Sequence, residues 1–173
     1  MPTVGSAFNF LIENCKSIFG NVESMLYVGH RSDTHPWWHS EFAAKLGIKR
    51  IAVIDIVKAN LESANHITKE LYLGDIRDKN LIKDSFDIVF WDEGPEHMKK
   101  EESLQLIQDL LKTHKKVLIS CPWGYQAQGS GENDPEFHHW GPLPEDFEQI
   151  GMESHTFGTI FPNGHGNLIA WTK

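Results

Sequence analysis

One segment constrains this chain more than any other: Phe86-Asp87-Ile88-Val89-Phe90-Trp91-Asp92-Glu93-Gly94-Pro95-Glu96-His97-Met98. Ile88, Val89, Phe90 and Trp91 form an unbroken apolar run, with Asp87 before it and an acidic, Gly-Pro-interrupted turn after it. A strand with one wet face would alternate apolar and polar residues. An unbroken run fits a strand covered on both faces, as in a parallel sheet between layers of helix. In open sheets of that kind, ligands sit beyond the carboxyl ends of the strands. Asp92, Glu93, Glu96 and His97 therefore fall where chemistry is expected.

The same layout recurs along the chain. Short apolar runs at 25–28, 51–54, 71–73 and 117–119 read as further buried strands. They end at Gly29, Asp55, Gly74-Asp75 and, shortly after Ile119, Pro122. Between them lie helical spacings. Phe8, Leu11, Ile12, Cys15, Ile18 and Phe19 mark an N-terminal helix within residues 1–24, stopped by Gly20. Pro36 suits the first turn of a helix whose core face is Phe42, Ala43 and Leu46 and whose end is Gly47. Val57, Leu61, Ala64 and Ile67 predict the next helix. Another, carrying Leu104, Ile107, Leu110 and Leu111, follows a turn at 99–102. Residues 123–136 have no periodicity and form a long loop, a kind of segment that is usually functional or mobile. Leu143, Phe147 and Ile150 suggest a short helix ended by Gly151. Strands around 155–161 and 167–171 flank Pro162-Asn163-Gly164 as a closing hairpin. The predicted fold is α/β: a doubly wound, mostly parallel sheet ending in an antiparallel hairpin, in a single domain over 1–173.

Charge and cysteine content narrow the function. A formal net charge of −8 argues against a non-specific nucleic-acid binder, which needs a basic face. Cys15 and Cys121, far apart and outside any CxxC pair, read as reduced thiols of a cytoplasmic protein. No apolar run approaches membrane-spanning length, so no membrane association is expected. Six tryptophans and ten histidines make an aromatic, histidine-bearing pocket plausible.

The acids at strand ends carry the ligand argument. Asp55 follows the second strand directly, where a carboxylate can accept from ribose hydroxyls. Asp75 follows the third, where it can accept from an exocyclic amine. A lone Asp in such a place is ordinarily a cap or turn residue, but acids at the ends of successive strands favour a nucleoside. Gly29 allows a close approach of ligand to backbone. The dinucleotide fingerprint G-x-G-x-x-G is absent.

Taken in order, Leu26-Tyr27-Val28-Gly29, Ile54-Asp55, Gly74-Asp75-Ile76-Arg77-Asp78, Phe86-Asp87-Ile88-Val89 through Glu96-His97, and Val117-Leu118-Ile119-Ser120-Cys121-Pro122 resemble the class I S-adenosylmethionine (SAM)-dependent methyltransferases. Pro95-Glu96-His97-Met98 is similar to that family's fourth-strand motif, which commonly ends in Leu-Glu-His. Pro144-Glu145-Asp146-Phe147 and Gly151-Met152 are similar to its tail. The resemblance runs from Met25 to the C-terminus. It implies a seven-stranded sheet and SAM as cofactor, with a small-molecule or sugar-like methyl acceptor. The cofactor-binding set it implies is Gly29, His30, Asp55, Ile56, Asp75, Ile76, Trp91 and Asp92. In that set Gly29 lies under the methionine part, Asp55 holds the ribose, and Asp75 with Ile76 holds the adenine. Trp91 and Asp92 flank the sulfonium and the incoming substrate. Glu93, Glu96, His97 and His138 are the base candidates, with Glu96, His97 and His138 assigned as catalytic. Trp123, Trp140 and the loop at 124–136 would cap the site.

The chain departs from the family's pattern near the first strand. Tyr27 stands where an acidic residue is usual, and His30, Arg31, Ser32 and Asp33 stand where further glycines are usual. Trp37 and Trp38 follow before the second strand. A non-catalytic nucleotide-binding or interaction protein of the same fold is the alternative. A metal-dependent hydrolase using His30, His35 and His39 is a third reading, since His35 and His39 are spaced to share a helix face, though H-E-x-x-H is absent. No metal site is assigned.

Overall fold

The computed structural model describes residues 2–30 and 38–172, with side chains at 5–30 and 40–172. In chain order the elements are α1 (Pro2–Phe19), β1 (Ser24–Val28), α2 (Trp38–Leu46), β2 (Arg50–Asp55), α3 (Lys58–Ser63) and β3 (Glu70–Leu73). There follow β4 (Ile88–Asp92), α4 (Lys100–Thr113), β5 (Lys116–Pro122), α5 (Pro144–Glu148), β6 (Met152–Phe157) and β7 (Asn167–Thr172). Short 3-10 turns, Ala64–His66 and Pro95–His97, follow α3 and β4. The strands form one seven-stranded sheet in the order β3-β2-β1-β4-β5-β7-β6. β1 pairs in parallel with β2 and β4, β2 with β3, and β4 with β5. β7 runs antiparallel to both β5 and β6.

The unbroken apolar runs are buried on both faces, as their composition demands. Met25, Tyr27, Val53, Ile88, Phe90 and Leu118 pack against Leu11, Cys15 and Phe19 of α1, Phe42 and Leu46 of α2, and Leu61 of α3. The alternate residues Leu26, Val28, Ile54, Val89, Trp91 and Ile119 pack against Leu106, Ile107 and Leu110 of α4 and Phe147 of α5. The period-2 geometry of a strand divides each run between the two layers.

Polar ties set the register at the amino end of the sheet. Asp87 accepts the backbone N–H groups of Glu23 and Ser24 at 2.8 and 3.1 Å, and its own N–H donates to Ser24 Oγ at 2.9 Å. Lys115 meets its other oxygen at 2.5 Å. One carboxylate thus joins the starts of β1 and β4 to the turn before β5, and the Lys115 hydrogen bond, aided by the backbone donors, holds it below the usual carboxylate range. At the other end of the chain Asp146 accepts the Leu143 N–H at 2.9 Å and pairs with Lys100 at 2.5 Å, which anchors α5 to α4.

The structure corrects several expected boundaries. β6 covers Met152–Phe157, not 155–161, because Gly158 turns the chain at φ 78° and residues beyond it have no partner position on β7. α4 starts at Lys100, so Glu101 and Glu102 sit in its first turn, where they complement the positive helix end. Pro122 ends β5 and does not break it earlier: it pairs with Asn167 beyond the last β4 register position, where the missing N–H costs no bond to β4. α3 stops at Ser63 and tightens into a 3-10 turn, and Val57 is exposed ahead of it. The proposed start at Pro36 lies outside the described residues. No helix among the described residues is long and apolar enough to cross a membrane.

His114 gives a pH signature of this packing. Its Nδ1 accepts the Phe86 N–H at 3.0 Å, and burial lowers its pKa from the ordinary value of 6.5. A lowered folded pKa means that the contribution is complete above the unfolded value, about 6.5, and is lost as pH falls through the folded one. Thermal unfolding of His114→Asn, measured from pH 7.5 to 5.0, will therefore show a shallower loss of Tm on acidification than the parent chain.

Candidate functional site

The carboxyl ends of β1, β2, β3 and β4 open onto a cavity of about 460 Å³, within the range of small-molecule sites. The strand order reverses between β1 and β4, the position at which a doubly wound sheet leaves a crevice. Gly29, Asp55, Ile56, Asp75, Ile76, Trp91, Asp92 and His97 all line it. The acids of β2 and β3 therefore share one wall and do not lie on opposite rims. Arg31 lies outside the described residues, and Tyr27, 2% exposed, lines the cavity without filling it.

Gly29 has φ 79°, and a Cβ there would stand 3.0 Å from the Asp92 carbonyl oxygen. Glycine is required at this point both for its backbone conformation and for the close passage of β1 and β4. Asp55, only 7% exposed, is held from behind. Its Oδ2 accepts the His30 N–H at 2.9 Å and its Oδ1 accepts the Val57 N–H at 2.7 Å, with Asn60 at 3.4 Å. Burial raises its pKa, and the Val57, Asn60 and His30 donors oppose the rise. Asp75 is more open. Arg77 grips both its oxygens, closest at 2.5 Å, and lowers its pKa. Ile56 and Val57, 55% and 39% exposed, leave apolar surface in the cavity wall.

Tyr27 stands on β1 where the resemblance leads one to expect an acid. Its hydroxyl donates to Asp92 Oδ2 at 3.2 Å, and its ring packs edge-on to Phe90 at 5.3 Å. The negative charge resides on β4 instead of β1. Burial pushes Asp92 up to about 6 and carries the Tyr27 phenol well above its ordinary value. Beyond Asp92, Glu93 adopts φ 49°, an uncommon conformation for a residue with a side chain. It turns the chain sharply into Gly94, where a Cβ would fall 1.7 Å from Trp91 Nε1. The indole nitrogen edge of Trp91 therefore occupies the space a side chain at Gly94 would need.

Glu96, His97 and His138 come together, but only His97 lines the cavity. His97 and His138 meet ring to ring at 4.7 Å, and His97 Nε2 lies 4.0 Å from Glu96 Oε1. Glu96 is fully buried. Burial pushes the Glu96 carboxyl upward and drives His138 down to about 4, so without a cation between them both favour their uncharged forms. His30 is also buried and is absent from the cavity lining; its contribution there is the backbone N–H held by Asp55. His35 and the His39 side chain lie outside the described residues. Trp140, expected over the site, is buried instead and donates its indole N–H to the Pro95 carbonyl at 2.9 Å. The long loop reaches the cavity through Gln128, Glu136 and His139. Asn60 and Met98 also line it, and sequence reasoning did not single them out. Asn60 had one signal, its place a helical turn beyond Asp55.

No family model matches this sequence, and no curated protein matches it. Solved structures do match in three dimensions. The N-terminal domain of EvdMO1 with SAH bound aligns over 96% of this chain and 80% of its own, with TM-score 0.68 and 12% identity. Magnesium protoporphyrin IX methyltransferase (ChlM) from Synechocystis PCC 6803 with bound SAM aligns over 98% and 78%, with TM-score 0.58 and 14% identity. The small RNA methyltransferase HEN1 aligns over 99% of this chain but 25% of its own, with TM-score 0.60 and 17% identity. The chain has the methyltransferase-like α/β fold. At such identities the likeness speaks to the fold alone.

The Tyr27–Asp92 contact has a measurable consequence. Tyr27→Phe removes the donor and leaves a buried carboxylate oxygen unpartnered, a loss of about 1–3 kcal/mol. Chemical denaturation at pH 8 will show that loss. At pH 5, below the pKa of about 6, Asp92 is protonated and the loss will shrink.

Proposed function

We propose that the protein is a SAM-dependent methyltransferase acting on a small-molecule acceptor, with the cofactor held in the crevice at the ends of β1 to β4. The observation that carries this reading is the convergence of Gly29, Asp55, Ile56, Asp75 and Ile76, from three strand ends, on one cavity. The residues present fit an adenosine. Each Asp55 oxygen keeps a lone pair after accepting its backbone donor, and ribose hydroxyls can use them. Ile56 and Val57 offer an apolar platform for a flat base. Asp75, facing the same cavity, suits an exocyclic amine. The close backbone passage at Gly29 suits the methionine portion.

The cofactor, when bound, supplies an electrophilic methyl on a positively charged sulfur. The chain supplies orientation and electrostatics. Asp92 and Glu93 place negative charge along the wall nearest β4, which favours a cation there. Trp91 and Met98 give that wall apolar surface that excludes water. His97, on the cavity side of its cluster, presents a polar group there and helps orient an acceptor. A net charge of −8 supports a neutral or cationic acceptor over a polyanionic one. The two free, buried cysteines support a reducing, cytoplasmic setting.

Calorimetry with SAM and S-adenosylhomocysteine tests the reading directly. Binding with Kd on the order of 1–100 μM is expected. Asp55→Ala will weaken it by about tenfold or more, equivalent to about 1.4 kcal/mol. Because Asp55 also anchors the His30 and Val57 N–H groups, Ile56→Ala provides a variant that leaves those anchors intact, with an expected loss of about three- to tenfold. No heat and no thermal shift at cofactor concentrations on the order of 1 mM would reject the proposal.

A further inference from the structure

We infer that Glu96, His97 and His138 form a site for one divalent first-row transition-metal ion, set into the crevice wall beside β4. Each of the three offers a ligand atom, and those atoms all lie within 4.8 Å of one another. Two imidazoles and a carboxylate make a donor set that such ions favour, and it leaves further coordination positions open.

The second observation is independent of that proximity. Glu96 is 0% exposed, and its carboxyl oxygens find no hydrogen-bond partner on any other described residue, with only its own backbone N–H nearby. His138, 2% exposed, has an Nδ1 that likewise finds no hydrogen-bond partner among the described residues. Buried polar groups are ordinarily paired, and leaving several unpaired at one point is costly. A single cation would satisfy all of them. An acid, two imidazoles and no ion is the competing arrangement, and it leaves that cost standing.

The backbone around the site is fixed. Glu96 and His97 sit on the 3-10 turn that follows β4. The distant loop bearing His138 is fastened to that turn by two bonds: His139 N–H to the Glu96 carbonyl at 2.8 Å, and Trp140 Nε1–H to the Pro95 carbonyl at 2.9 Å. Ligands about 2.1 Å from one ion stand about 3.0–3.4 Å apart. The His97 to Glu96 separation is 4.0 Å, so closure on an ion needs shifts of about 1 Å. His97, the partly exposed member, has room for them. It is also the member shared with the cavity, so the open coordination positions face the crevice and can hold an oxygen or nitrogen donor of the ligand there. That last role rests on the methyltransferase reading; the metal site itself does not.

The test uses the full chain, dialysed against chelator and then titrated with ZnCl2 and with MnCl2 by calorimetry, with elemental analysis for stoichiometry. One ion per chain is expected, with Kd at or below about 1 μM for zinc. Glu96→Gln and His97→Asn will each weaken binding at least tenfold, while the exposed His165→Asn will not change it. Circular dichroism reports whether each variant folds. Should Glu96→Gln unfold, His97→Asn at its partly exposed position decides the matter alone. No binding of either ion, or equal affinity in His97→Asn, overturns the site. SAM calorimetry on the chelated protein is read separately, so failure of the metal site and failure of the cofactor reading are distinguishable.

Discussion

Everything in this molecule depends on β1 lying between β2 and β4, parallel to both and buried on both faces. The helices that follow β1 and β4 pack on opposite layers of the sheet, so the two strand ends open apart. The crevice is the space this leaves. Its walls are the first residues after each strand together with residues of the loop at 128–139, and the chemistry of the site is the chemistry of those positions. Core packing of Phe90, Tyr27 and Phe42 against one another keeps the pair in place from below.

Carboxylates do two kinds of work here. Asp87 and Asp146 tie backbone N–H groups and lysines together away from the crevice. Asp55, Asp92 and Glu96 stand in or beside the crevice, and burial pushes the pKa of each upward. Asp55 is the intermediate case, with one side committed to its own loops and the other facing the cavity. Tyr27 lends that crevice a neutral donor: its phenol donates to Asp92 and helps keep the buried carboxylate tolerable.

Much of the fold was legible because local burial writes itself into local composition. Unbroken apolar runs marked β1, β2 and β4, and 3.6-residue spacing marked α1 and the helix after β4. The mistakes came where tertiary context overrides local signals. Pro122 looked like a strand breaker, but a proline at the last position loses no needed bond. Lys99 to Glu102 looked like a turn, because charged residues in a first helical turn resemble a loop until the helix is seen. Trp140 looked like a lid, since an aromatic residue in a loop gives no sign of whether it faces ligand or core. At the site, Gly29, Asp55, Asp75 and Asp92 were found from their places after strands. Asn60 and Met98 were not, because residues on the connecting segments have no positional rule, and Glu136 was expected only as part of the capping loop.

The sequence alone determined which segments are strands, that they are buried on both sides, and which polar residues stand at their carboxyl ends. These are properties of neighbours along the chain, set by alternation, helical period and the stops made by glycine. Only the tertiary structure decided the strand order β3-β2-β1-β4-β5-β7-β6, the shared cavity of Asp55 and Asp75, and the meeting of His138 with Glu96 and His97. Those depend on crossover connections and on two hydrogen bonds between a loop and a distant turn, and interactions so remote in sequence leave no periodic trace in it.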